Sequence, residues 1–294
     1  MMGSQTGHDV NAASLFNVDG MVALVTGGGS GIGLMMTKAL AHNGAAKVYI
    51  AGRRLEVLEA AASATGPNVI PIQCDVTSKE SLAAAADRIR QDAGFINLLI
   101  CNSGIGGPQV KPITDETSAE EWAASNLSVD FEDYNRTFSV NTTSVWYTAM
   151  TFLPLLDAGN KKGNLQQTSQ VLVTSSIAAF NKHASGGYAY GQSKAAVNHV
   201  VKHLSVALPK WKIRANSIAP GLFPSDMSGP IVQKYTDDAG ETRLPKEMVP
   251  LQRMGDEKDM AGTVLYFASR AGAYCNGVIS TVDGGRLANF SALY

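Results

Sequence analysis

Tyr190 and Lys194 stand four residues apart, so on a helix they share one face. A free phenol titrates at about 10. A neighbouring ammonium favours the phenolate and draws that value toward working pH, so the pair can serve as an acid in one direction and a base in the other. Far upstream runs Thr26-Gly27-Gly28-Gly29-Ser30-Gly31-Ile32-Gly33. Glycines let a chain turn sharply and pass close to a pyrophosphate, and the helix behind them offers unpaired N–H groups and a partial positive charge. A phosphate-binding loop of the nucleotide-hydrolase kind is the rival reading. Gly28 to Gly33 has its four-residue gap, but Leu34-Met35 follow where Lys and Ser or Thr would be needed. Either feature alone is weak. Together, in this order, they predict hydride chemistry on a dinucleotide with a proton relay beside it.

The elements that must position these residues alternate along the chain. Strands are predicted at Met21–Thr26, Val48–Ala51, Val69–Cys74, Leu98–Cys101, Val171–Thr174, Ile213–Ala219 and Val278–Val282. Helices are predicted at Gly31–Asn43, Arg54–Thr65, Ser78–Ala93, Glu132–Leu156, Tyr188–Leu208 and Asp256–Ser269. Such alternation specifies an α/β fold: one doubly wound, Rossmann-type domain with a seven-stranded parallel sheet and helices on both faces. Two stretches break the rhythm. Residues 106–131 read as a long polar connection containing Trp122, and 222–255 carry Pro224, Pro230, Pro245 and Pro250 with little periodicity. Both follow the C-terminal ends of strands, where open α/β sheets bind ligands, so 222–255 is expected to be a substrate lid with Asp226 and Met227 among its lining. Residues 1–17 are expected to be a flexible extension, leaving a single domain over 18–294.

At this point the chain resembles the short-chain dehydrogenase/reductase family over nearly everything from about residue 20 to 286. Gly27, Gly31 and Gly33 have the family's loop spacing, with Ser30 and Ile32 between them. Asp75-Val76 looks like the pair that contacts adenine. Cys101-Asn102-Ser103-Gly104 resembles the family's Asn-Asn-Ala-Gly, keeping Asn102 and Gly104. Pro220-Gly221 follows a strand, as in the segment covering the nicotinamide, and Asp283-Gly284-Gly285 closes the last strand. The resemblance implies Ser176 as the carbonyl-orienting hydroxyl, with Ser175 as the lesser candidate, and Asn141 as the holder of a water near Lys194. It implies Tyr190 and Lys194 as catalytic groups that also touch the cofactor. The interval from Ser176 to Tyr190 is one residue longer than is common in the family, so an insertion lies in 177–187. Tyr188-Ala189-Tyr190-Gly191 and 218–227 look closest to β-ketoacyl reductases of the rhamnolipid-pathway type, which implies a 3-oxoacyl or related secondary-metabolite ketone as substrate.

The cofactor is expected to be NADP(H). An acid at the end of the second strand would grip a ribose 2′-hydroxyl and repel a 2′-phosphate, but Ala51-Gly52-Arg53-Arg54 contains none, and Arg53 suits the phosphate. Ser30 departs from the basic loop residue of many NADP-dependent relatives. The enzyme alternative is an NAD-linked secondary alcohol dehydrogenase; the alternative from another class is a non-catalytic dinucleotide-binding scaffold.

The remaining features exclude more than they suggest. With 24 basic and 25 acidic residues among 294, the net charge of −1 offers no footprint for nucleic acid or an anionic membrane. Three cysteines without a paired spacing read as buried thiols in a reducing compartment. His199 and His203 have metal-ligand spacing but no acidic companion motif, so no metal is expected. A cytoplasmic protein is expected, and the resemblance implies a homodimer or homotetramer joined through the helices near Asn141 and Tyr190.

Overall fold

The computed structural model describes residues 10–184, 186–225, 228–236 and 242–290. The elements are α1 (Ala12–Leu15), β1 (Val22–Thr26), α2 (Gly31–His42), β2 (Lys47–Gly52), α3 (Leu55–Thr65), β3 (Val69–Gln73), α4 (Lys79–Asp92) and β4 (Leu98–Cys101). There follow α5 (Ala119–Leu127), α6 (Phe131–Phe138), α7 (Ser144–Lys162), β5 (Gln170–Thr174), α8 (Tyr188–Ala207), β6 (Arg214–Pro220), α9 (Gly229–Tyr235), α10 (Glu257–Ala268) and β7 (Ile279–Val282). All seven strands pair in parallel, in the order β3-β2-β1-β4-β5-β6-β7. The winding reverses between β1 and β4, and in doubly wound sheets the crevice at that reversal, at the strand C-termini, is the ligand site.

Strand residues alternate between two apolar layers. Val22 and Leu24 of β1 join Tyr49, Leu99, Leu82 of α4, Phe152 of α7 and Val197 of α8. Ala23 and Val25 face the other way, to Met36 and Leu40 of α2, Leu58 of α3 and Met260 and Val264 of α10. Full burial of one such Leu or Phe contributes roughly 1.5–3 kcal/mol. A third, small cluster of Leu244, Val249 and Met254 packs with Leu222 and Tyr235, giving the described part of 222–255 an apolar centre of its own.

Two expectations need correction. The single helix predicted over Glu132–Leu156 is two helices, α6 and α7, joined by a π-helical turn at Ser139–Thr143. The polar stretch 106–131 contains α5, started by a reciprocal cap in which Ser118 accepts from Glu121 N and Glu121 accepts from Ser118 N. A Ser-x-x-Glu pattern is a helix-start signature, and the run of polar residues masked it. Residues 1–9 of the predicted N-terminal extension lie outside the described residues, as do Asp226 and Met227; at 12–15 the chain forms the short α1. Among the described residues no helix is long and apolar enough to cross a membrane.

Candidate active site

The glycine loop is shaped by contacts that leave no room for side chains. Gly27 and Gly31 have φ of +67° and +50°, and a Cβ on Gly33 would lie 2.1 Å from Gly27 O. The residue before α2, Ser30, makes no side-chain cap, so the first N–H groups of α2 are left to face the cleft. Asn102, just past β4, locks the loop from below: its Nδ2 donates to Thr26 O at 3.1 Å and Gly27 O at 3.3 Å. Thr26 Oγ1 in turn accepts from the backbone N–H groups of Asn102 and Ser103. This is a cradle that a Cβ would fill, opening on a cleft of about 1050 Å³. A dinucleotide pyrophosphate fits the donors present.

The same cleft carries the other residues singled out above. On the β2 and β3 side it is lined by Arg53, Asp75 and Val76. Arg53 is exposed at its rim. Hydrogen bonds from Thr77 hold the Asp75 carboxyl below the usual range, and Arg53 and Arg136 add to that pull. On the β4 to β6 side it is lined by Gly104, Ser176, Tyr190, Lys194, Pro220 and Gly221. Gly33 and Asn141 lie behind its wall.

Tyr190 and Lys194 project from the first turns of α8. Gly186, at φ +88°, lies against the Tyr190 ring, where a Cβ would approach within 2.9 Å, so the loop between Ser176 and Tyr190 turns over the ring because that position has no side chain. Burial pushes the Tyr190 phenol above its ordinary value, and a hydrogen bond with Ser176 acts in the opposite sense. Lys194 is buried; its Nζ donates to Thr174 O at 2.8 Å and lies 5.9 Å from the Tyr190 ring centroid. Burial brings its pKa down to about 8. The largest influence on the phenol is therefore desolvation, not the ammonium expected from sequence: it favours the neutral form of both groups.

Ser176 ends the extended segment after β5 and caps the short turn Ile177–Ala179, accepting from Ala178 N. Ser175 is buried and its Oγ faces the α8 backbone at Lys194 O, 3.4 Å away. Asn141 sits inside the π-helical turn. Its Oδ1 accepts from Ile105 N and its Nδ2 donates to Ile105 O, both at 2.8 Å, with a further bond to Ser193 Oγ at 3.0 Å. Its side chain thus ties the loop after β4 to α8, and a Cβ on Gly104 would stand 3.3 Å from Asn141 Oδ1 and 3.5 Å from Lys194 Nζ. The wider π turn brings this asparagine to bear on the loop; such turns recur at functional sites.

Several other residues resolve simply. Tyr188 meets Trp122 of α5 edge-on, with ring centroids 6.3 Å apart. His199 and His203 contact each other ring to ring at 4.4 Å, and among the described residues no group of three His, Cys, Asp or Glu side chains could hold a metal. Cys101 is buried, which pushes its thiol up to about 12. Among the cleft residues that sequence reasoning missed is Arg286, which directly follows Asp283-Gly284-Gly285. A cation next to a glycine pair was the available signal.

Comparison with known proteins agrees with this geometry. A family model described as short chain dehydrogenase matches residues 21–236. The chain is 48% identical over 278 residues to the short-chain dehydrogenase/reductase PhomF of Diaporthe leptostromiformis, covering 94% of each protein. It is 29% identical over 273 residues to the rhamnolipids biosynthesis 3-oxoacyl-(acyl-carrier-protein) reductase of Pseudomonas aeruginosa, covering 92% of this chain and 97% of that protein. A 3-ketoacyl-(acyl-carrier-protein) reductase from Brucella melitensis, solved with NADH, superposes with a TM-score of 0.73 at 27% identity, over 92% of this chain and 100% of that one. The glycine cradle, the strand order and these likenesses lead to one conclusion: the chain belongs to the short-chain dehydrogenase family of oxidoreductases, whose fold binds a nicotinamide dinucleotide.

Proposed function

We propose that the protein is an NADP(H)-dependent ketoreductase that converts a ketone, a 3-oxoacyl or related secondary-metabolite carbonyl, to a secondary alcohol. The observation that carries this reading is that Ser176, Tyr190 and Lys194 line the same cleft as the glycine cradle. When bound, the cofactor supplies the hydride. Ser176 Oγ holds the carbonyl oxygen, and the Tyr190 phenol, kept protonated by burial, gives that oxygen its proton. Lys194, anchored on Thr174 O, binds the nicotinamide ribose and re-supplies Tyr190. The Asn141 side chain is committed to Ile105 and Ser193, so its main-chain carbonyl is the group that holds the relay water. Gly27, Ser30, Gly31, Ile32 and Gly33 cradle the pyrophosphate. Asp75 and Val76 take the adenine, Asn102 and Gly104 the strand side of the cofactor, and Pro220 and Gly221 the nicotinamide. The two relatives named as acyl-carrier-protein reductases support a ketone substrate. Since one of them was solved with NADH, the choice of NADP rests on Arg53 and on the lack of an acid after β2. The proposal extends to a cytoplasmic homodimer or homotetramer with 222–255 as lid, and the exposed Trp146 of α7 supports self-association.

Tyr190→Phe tests the chemistry. Loss of the proton donor should lower kcat by roughly 10²–10⁴-fold, with NADPH affinity retained in a fluorescence titration. Near-normal turnover would remove Tyr190 from the role. Equal kcat/KM for NADH and NADPH would replace the reading by the NAD-linked alternative.

A further inference from the structure

Arg286 is a cation that the proposed mechanism does not use. It is 8% exposed, yet it lines the cleft. One of its five N–H donors goes to Met248 O, at 3.1 Å. The Phe290 ring covers one face of the guanidinium, 4.8 Å from ring centroid to Cζ. Among the described residues no carboxylate forms an ion pair with it. Asp283, three residues earlier, is close enough for its charge to favour the guanidinium, but its two oxygens are engaged by the backbone N–H groups of Gly285 and Leu287 and form no ion pair with it. None of its nitrogens is sealed from solvent without a partner, and the residue lines the cleft. A buried guanidinium costs free energy unless an anion answers it.

Its place in the sheet says which ligand could answer it. The adenosine side of the cleft is bounded by Arg53 and Asp75, after β2 and β3. Arg286 follows β7, at the opposite end of the strand order. There three segments meet: Met248 from the lid region, Phe290 from the chain's last described turn, and His183, from the loop after Ser176, whose ring lies 5.8 Å from that of Phe290. A ketone beside Tyr190 and Ser176 would extend toward this corner.

We propose that Arg286 is a substrate-binding residue that pairs with a carboxylate carried by the ketone, so that the preferred substrate is an oxo acid rather than a neutral ketone. The inference rests on the ketoreductase reading for the end of the cleft where the ketone lies. Binding is therefore measured apart from turnover. Levulinate and its longer oxo-carboxylate homologues, each beside its methyl ester, are titrated calorimetrically into the protein alone and with NADP⁺ bound. At least one acid should bind wild type about tenfold to a hundredfold more tightly than its ester, the range of a charge-assisted pair. Arg286→Met should erase that preference and leave ester and NADP⁺ affinities unchanged, and Arg286→Lys should keep part of it. Melting curves show whether each variant folds; if Arg286→Met does not, Arg286→Lys carries the test through a reduced preference. Absence of any acid preference in wild type, its survival in both variants, or weakened NADP⁺ binding in place of weakened acid binding would overturn the assignment. An acid preference without turnover of any ketone would count against the hydride-transfer reading alone.

Discussion

The two ends of the cleft are built by different means. At the β1 to β3 end the chain is held by backbone: positive φ at Gly27 and Gly31, a carbonyl where Gly33 would carry a Cβ, and Asn102 bonded to two main-chain oxygens. At the β4 to β7 end glycines such as Gly186 also clear space, but ties between side chains and distant segments are added: Asn141 against Ile105 and Ser193, Arg286 against Met248 and Phe290. A backbone requirement admits one residue type and so fixes a ligand common to a whole family. A side-chain requirement admits many, and leaves room for substrates to differ. On the function proposed above, the first end takes the adenosine and pyrophosphate that the family shares, and the second takes the nicotinamide and the particular substrate.

Glycine substitutions test that contrast most harshly. Gly33→Ala forces a methyl to within 2.1 Å of Gly27 O, so the loop must move. Stability should fall by roughly 1–3 kcal/mol in denaturant titration, and dinucleotide binding should be lost with it. Gly106→Ala, at the other end of the cleft, meets nothing within 4 Å. It should fold with wild-type stability and change only the KM for the ketone. Equal damage from both would mean that the two ends are not built differently.

Arg53→Ala asks whether the cofactor end also uses charge. Removing a charge-assisted partner of the 2′-phosphate should weaken NADPH by roughly tenfold to a hundredfold, about 1.5–3 kcal/mol, and leave NADH affinity where it was. Parallel losses for both cofactors would make Arg53 a rim residue without a phosphate to read.

The contrast also explains what was legible in the sequence. The glycine loop and the Tyr190–Lys194 pair could be read because backbone clearance and the i,i+4 spacing of a helix are local, and the seven strands because their apolar runs are; Asn102 was reached only through the family resemblance. The π-helical turn at Ser139–Thr143 has no comparable mark: its residues are compatible with an ordinary helix, and what it achieves is visible only once Ile105 and Ser193 stand beside Asn141. Arg286 escaped for the same reason, since its meaning depends on Met248 and Phe290. The α5 cap was different. Ser118 and Glu121 were in plain view, and the polar composition of 106–131 outweighed them.

Lys194 stands where the two ends meet, and its burial has a signature in pH. Its pKa falls from an ordinary 10.5 to about 8 in the folded protein. Below pH 8 both folded and unfolded chains carry the proton, and burying the ammonium is a constant cost. Between pH 8 and 10.5 the unfolded chain holds the proton and the folded chain does not, so rising pH favours folding. Relative to Lys194→Met, wild type without cofactor should gain about 1.4 kcal/mol per pH unit in that window. Urea titrations of both proteins at pH 7 and pH 10 measure it. A stability difference that stays flat would show that the ammonium is not desolvated.

The smallest expected effect concerns α5, which buries none of its own residues and meets the substrate end through the edge of Trp122 on Tyr188. Ser118→Ala removes one half of its capping box, a loss of about 1 kcal/mol. Where a helix contributes little to the core, that loss is taken locally and does not spread to the fold. Amide exchange over 119–127 should quicken by roughly fivefold while the global unfolding midpoint stays within error. The start of α8 at Tyr188 should quicken less, because a single ring contact couples it to α5. If the midpoint dropped along with the exchange protection, α5 would belong to the cooperative core, and the substrate end would be tied into the fold through it.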